Sequence, residues 1–565
     1  MQLPNYSITQ LPLEKPMKQQ ITCLTILLLI LITGARLTRA ADAVVGNGDP
    51  ASCTEAAFDT ALTTASSGGG IITFNCGPAV TTITLSSTKF LTLGNVTVNG
   101  NGRIILDANN NDRHFFAGPG ITFRLQNITL RQGNSLVNGG AVEASGAEVI
   151  LENVQFLDNT SSVAGGAIYC YDGSLTIANS LFQNNTADTA GAIFNDGCDV
   201  TITGATFASN QATGGLGRGG AVENSTLGSL TVQHSRFSGN SALDGGGLYV
   251  AAGATAVLHS TTFSQNSGGY GGGIENSGAI TITHSLLTAN DASGSGGGLW
   301  NIGGTAVVQQ TSFIDNFAYE GGGISTYGAS LTMHDVNLLN NVANLVGGGA
   351  TDGGGLYHAG GTVFITNATI SGNVAMNNGG GIFQASDDNL TLTNVTLTNN
   401  TAAGLGGAFY HYGRYAILSN VTLGDNIAGI AGNAIYEDSP QTPQNPGVVQ
   451  TVNSVIIGSA VNCDGGLFLS LGHNISQGSC ASFSDATDQD NYVGDLLLGS
   501  PAFNGGAFSM QTILPLPGSP LIDAGDAGFC QATDQRSAAR VGICDVGAVE
   551  YGAVAFRLYL PVVVR

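Results

Sequence analysis

The 565-residue sequence has very little lysine: Lys15, Lys18 and Lys89 are its only three, and Lys plus Arg total 16 against 38 Asp plus Glu. That disfavours nucleic acid as a partner, because phosphates are neutralised by clustered Lys and Arg. Charge of either sign is scarce at 10%, while 42% of residues are hydrophobic, which is too apolar for disorder. No proline-rich or charged linker divides the middle of the chain. Glycine is abundant, with 84 residues, but it lacks the strict triplet period of a collagen.

Long apolar runs are also few. The one that stands out lies in MKQQITCLTILLLILITGARLTRAADA, where Lys18 precedes an apolar stretch from about Ile21 to Thr33 and small residues follow at Ala40 and Ala41. It is short for a membrane span and has the layout of a secretory signal covering 1–40, with cleavage expected after Ala40 and Met17 a better start than Met1. Removing it takes Cys23 away and leaves eight cysteines. An exported chain with that number reads as four disulfides, and neighbours pair most simply: Cys53 with Cys76, Cys170 with Cys198, Cys463 with Cys480, Cys530 with Cys544. Neither CxxC pairs nor flanking histidines mark a zinc site.

What the sequence has instead is a repeat. Counterparts of GGGI begin at Gly139, Gly165, Ala190, Gly219, Gly245, Gly271, Gly296, Gly321, Gly353, Gly379, Gly406 and Gly432, in steps of 25 to 32 residues. After each of the first eleven comes an apolar residue with an asparagine three places on, as in FLDN at Phe156, FSQN at Phe263 and LTAN at Leu287. A β-branched alternating stretch such as AITITHS lies between the two elements and reads as a strand. Each unit therefore offers about three short strands and cannot bury its apolar face alone, whereas stacked units can. The expected fold is all-β, a right-handed parallel β-helix with motif Phe/Leu and GGGI apolar residues in the core and asparagines bonded to backbone at a turn. Phosphate binding by the glycine runs is disfavoured, since no helix follows any of them.

The tandem GGA[IVL] and FxxN elements resemble the repeat of polymorphic outer membrane proteins, and the whole resembles the pectin-lyase-type β-helix superfamily, across about Gly139 to Ile435. CTEAAFDTALTTASSGGGIITFNCG, from Cys53 to Gly77, is similar to a CSLREA-type start and implies a short amphipathic capping helix within 41–75, with the helix body over 76–500. GSPLIDAGD at Gly518, TDQR at Thr533 and CDVGAVE at Cys544 resemble a choice-of-anchor Q domain of bacterial secreted proteins, placed at 501–552. The remaining 553–565, ending RLYLPVVVR, then reads as an attachment or sorting tail. There is no LPxTG motif, and no series of long amphipathic C-terminal strands suggests a barrel.

Chemistry is sought next to the core. The residue following the GGGI apolar position is Glu143, Tyr169, Phe194, Glu223, Tyr249, Glu275, Trp300, Ser325, Tyr357, Phe383, Tyr410 and Tyr436. Alternation turns it outward, one step per coil. Two readings stand: a stacking ladder that stiffens the sheet, or a polysaccharide groove whose candidate contacts are Glu223, Tyr249, Glu275, Trp300, Tyr357, Phe383 and Tyr410. The longer steps add TGGLGR before Gly219 and NLVGGGATD before Gly353, at one edge of the repeat. A lyase needs Ca²⁺ carboxylates with an Arg or Lys base, and a hydrolase needs close carboxylates. The repeats contain only Arg218, Arg236 and Arg414, and only Asp387 and Asp388 as an adjacent acidic pair. His234, His259 and His284 read as a surface ladder rather than metal ligands.

These features together point to an exported monomer of the extracellular space or bacterial envelope, non-catalytic, acting in adhesion, surface structure or glycan binding. Its expected partners are a polysaccharide or a component of a cell surface or extracellular matrix. No catalytic residue, metal site or cofactor is assigned, Ca²⁺ being unsupported, and the mature chain has no transmembrane span. A lyase or glycoside hydrolase of acidic polysaccharide is the second reading.

Overall fold

The computed structural model describes residues 41–555 except 226, 345–350, 386–387, 440–446, 459–460, 481–482 and 507. The expected signal segment 1–40, the end of the expected tail (556–565), Asp387 and most of the second insertion lie outside the described residues.

Alternating β-branched residues dictate the local structure. Ala279–Thr283 pairs in parallel with Thr255–His259 on one side and Thr305–Gln309 on the other, so Ile280 and Ile282 enter the core while Thr281 and Thr283 stay out. Repetition of this pairing builds a parallel β-solenoid. The alternating and motif strands share one 26-stranded sheet, the GGGI strands form a 15-stranded sheet, and two-residue strands after each motif asparagine form sheets of 4 and 7 strands. The sequence reading gave the alternating strand and the Phe/Leu strand as separate; in coils such as Thr305–Ile314 and Asn389–Thr398 they run on as one. The bend between them falls on a residue in the left-handed region, Gln310 and Asn394 in these coils and His234 and His284 in others. The histidines accordingly pack ring on ring at the surface, with His259 lying 5.7 Å from His234 and 5.0 Å from His284.

Like stacks on like inside the rod. Phe156, Phe182, Phe207, Phe237 and Phe263 are fully buried with centroids 4.5–4.8 Å apart. Ile274 and Leu287, both expected in the core, are 0% exposed. The motif asparagines form a second column, in which each Nδ2 donates to the next Oδ1. Asn266 Nδ2 lies 2.9 Å from Asn290 Oδ1, and Asn290 Nδ2 lies 2.9 Å from Asn316 Oδ1 and 3.1 Å from the Phe263 carbonyl. The glycine run turns the corner. Gly271 has φ +56°, and a Cβ on Gly272 would stand 2.6 Å from the carbonyl oxygens of Asp291 and Gly297 in the adjoining coil. A further lumen column, unforeseen from the sequence, lies two residues past the GGGI apolar position: Asn276, Asn301, Thr326, His358, Gln384, His411 and Glu437, all buried. In it His411 Nδ1 pairs with Glu437.

A short helix closes the N-terminal end. Helix α1, Glu55–Ser66, is capped by Thr54 and lays Phe58, Ala61, Leu62 and Ala65 over the first coils. All four neighbouring cysteine pairs are disulfides. Residues after 500 do not extend the rod; they fold back along its flank. Gln535 Nε2 donates to the Ala368 carbonyl at 2.8 Å, Thr396 Oγ1 donates to Gln535 Oε1 at 2.6 Å, and Asn394 Nδ2 donates to the Thr533 carbonyl at 2.9 Å. No helix among the described residues is long and apolar enough to cross a membrane.

Candidate functional site: a carboxyl and aromatic trough

Alternation in the GGGI strand places Ile274 inside, Glu275 outside and Asn276 inside again. The twelve positions from Glu143 to Tyr436 therefore align in register along the outer face of the 15-stranded sheet, one per coil. They face outward without being open. Glu275 is 4% exposed, and Glu223, Tyr249, Phe383 and Tyr410 are buried as well, while Trp300 and Tyr357 are half-buried. Two flanking columns cover them. One comes from the turn before each glycine run and contains Thr189, Arg218, Asp244, Tyr270, Ser295 and Glu320. The other lies two residues beyond the stripe, where Asp196 and Asp438 accept from the hydroxyls of Tyr169 and Tyr410, both at 2.6 Å. The stripe is thus the floor of a trough, and its rim meets solvent first.

The seven candidate residues fall into two groups. Tyr357, Phe383 and Tyr410, with Tyr436 beyond them, stack face to face at 4.8–5.9 Å with interplanar angles of 1–9°. Such stacking sets ring face against ring face between neighbouring coils. Glu223, Tyr249, Glu275 and Trp300 are different. Arg218 lies 4.9 Å over the Tyr249 ring and 3.7 Å from Asp244, Tyr270 stacks on Trp300 at 4.4 Å, and Thr189 Oγ1 donates to Glu223. Glu275 Oε2 is buried and has no hydrogen-bond partner among the described residues.

Electrostatics follow from this burial. Desolvation pushes Glu223 up to about 7, against the pull of Thr189 and Arg218. It pushes Glu275 up to about 9, helped by the charge of Asp244. Asp244, Glu320 and Asp352 are raised for the same leading reason. Carboxyls raised on folding keep their protons in the folded protein while the unfolded chain, near 4.5, has lost them. Their contribution to stability is complete below that value and declines as pH rises through 7 and 9. Urea midpoints measured from about pH 5 to about pH 9 should fall, and the fall should be shallower in Glu275→Gln.

Arg218 was visible in the sequence only as the last residue of the TGGLGR insertion, which carries it to the rim beside Glu223; Arg113, which pairs with Glu143 at the first coil of the stripe, had no signal. Thr189, Asp244 and Tyr270 had no signal beyond their place before the glycine run.

A family model described as "Right handed beta helix region" matches residues 81–255 and 241–402, together more than half of the chain. The chain belongs to this family. This right-handed β-helix protein also matches the Chlamydia polymorphic membrane protein repeat at residues 394–412. No curated protein matches it. Among solved structures it is similar to the catalytic unit of a thermostable GH87 alpha-1,3-glucanase from Streptomyces thermodiastaticus, at 13% identity and TM-score 0.34, covering 77% of this chain and 70% of that one. It is also similar to the A-module of a mannuronan C-5 epimerase from Azotobacter vinelandii, at 12% identity and TM-score 0.27, covering 77% and 99%. Likeness at this level says nothing of substrate or site.

Proposed function

We propose that the protein is an exported, surface-associated rod that contacts glycan through the trough on its 15-stranded sheet and does not cleave it. The observation that carries this reading is the trough floor from Glu223 to Trp300. There a buried carboxyl oxygen of Glu275 lacks a partner among the described residues, and the rings of Tyr249 and Trp300 stand on its two sides in the register. A polar ring-shaped ligand supplies both the missing hydrogen bond and apolar contact. Four disulfides favour an oxidising compartment, and residues 501–552 serve in attachment on this reading.

One observation favours the hydrolase as a second reading. Glu223 and Glu275 are two coils apart, which sets their Cα atoms about 9.6 Å from each other, and their environments hold them at different pKa values, about 7 and about 9. The Tyr249 position lies between them. A polysaccharide array read for both binding and depolymerisation tests the two. Binding without cleavage is the expected result, and the absence of binding to every glycan sinks the proposal. Cleavage lost in Glu223→Gln or Glu275→Gln would install the hydrolase in its place.

A further inference from the structure

The trough is rich in carboxyl groups and poor in counter-charge. Asp196, Glu223, Asp244, Glu275, Glu320 and Asp352 line its floor and rim from the Phe194 coil to the Tyr357 coil, and Arg218 is the only basic side chain of that stretch among the described residues, while Arg113 pairs with Glu143 at the first coil. Arg218 lies over the face of Tyr249 and 3.7 Å from Asp244, and its buried Nε makes no hydrogen bond among the described residues. A second observation is independent of the acid count: Glu275 is 4% exposed, and its Oε2 has no partner. A third is the aromatic setting, since the Tyr270–Trp300 stack and Tyr249 flank that same carboxyl. Carboxylate together with aromatic ring is the combination that recognises an ammonium group, by charge-assisted hydrogen bond and by cation–π attraction.

We infer that the trough takes a cationic glycan, a chain of amino sugars with free ammonium groups, and that Glu275 is the side chain that meets the ammonium. This rests on the glycan-contact reading above and gives it a sign of charge. The bound ammonium favours the ionised carboxyl, so a proton leaves Glu275 for the buffer as the ion pair forms.

The test is titration calorimetry on the intact protein near pH 6, using a fully deacetylated glucosamine hexamer, its N-acetylated counterpart, a galacturonate hexamer and hexalysine. The deacetylated hexamer should bind at least about tenfold more tightly than the other three. Its binding enthalpy should change between buffers of different ionisation enthalpy, reporting the released proton. Glu275→Gln, which keeps shape and burial, should weaken binding about tenfold and remove that buffer dependence, and Glu320→Gln gives a second reading if the first variant does not fold. Equal or tighter binding of hexalysine overturns the inference in favour of a peptide partner. Preference for the acetylated or galacturonate hexamer overturns the cationic assignment and leaves glycan contact standing. Unchanged affinity in both variants removes the ligand from the trough, and no binding by any saccharide defeats glycan contact as well.

Discussion

Replacing Asn290 by alanine is expected to lower the free energy of unfolding by roughly 3–5 kcal/mol, since each buried group left without a partner costs ~1–3 kcal/mol. The amide of Asn290 donates to Phe263 and Asn316 and accepts both the backbone N–H and the Nδ2 of Asn266, at 3.1 and 2.9 Å. Alanine orphans the Asn266 N–H, removes one partner of the Asn266 amide and opens a cavity beside Gly273. Whole domains are stable by only ~5–15 kcal/mol, so the loss is a large fraction of the total. Urea unfolding measures it, and hydrogen exchange should show the deprotection centred on coils 266–316. Asn389→Ala, at an exposed strand start, is the control and should change stability by less than ~0.5 kcal/mol. An equally small effect at Asn290 would deny the ladder its structural role.

Removing the guanidinium of Arg536 should detach the C-terminal segment from the rod. Asp534 is 0% exposed and holds Arg536 through Nε at 2.9 Å and Nη2 at 2.6 Å, while the same Nη2 reaches the Glu550 carbonyl at 2.8 Å. Gln535 stands between these two residues and makes the bonds to Ala368 and Thr396, so the ion pair orients the residue that docks. Arg536→Ala leaves a buried carboxylate without its counter-charge, held only by the backbone N–H groups of Arg536, Ala538 and Glu550, a loss of up to ~3 kcal/mol. Lysine should rescue poorly, because it lacks the planar fork. Limited proteolysis should cut the variant within 501–555 while the circular dichroism of the sheet is retained; a segment that stays resistant would refute the docking role.

The rod was legible because a solenoid states the same instruction once per coil. Twelve copies of one phase place Ile274 and Leu287 inside without ambiguity, and local cysteine pairing follows from coils that stack neighbours. The polar lumen column was not legible. Two residues past Ile274 is an inward position, yet Asn276, His358 and Glu437 read as surface by type, and their burial is tolerated through stacked amides and the His411–Glu437 pair. The stripe was found by alternation, but its depth was hidden, since the covering side chains Arg218, Asp244 and Tyr270 belong to a turn whose direction no periodicity reveals. The backward fold of the last segment was hidden for another reason. Gln535 finds its partners 139 and 167 residues away, and a short motif carries no record of them.

That backward fold governs how the molecule takes force. The described chain stops at Ala555, whose Cβ lies close to Gly505, and the Asn337 side chain contacts Ser509 nearby, several coils short of the end of the rod. Tension applied through anything joined beyond Ala555 therefore enters on the flank. It shears a patch of parallel contacts at Asn337, Thr369, Thr396 and Asn394 together, instead of peeling off the terminal coil one strand at a time.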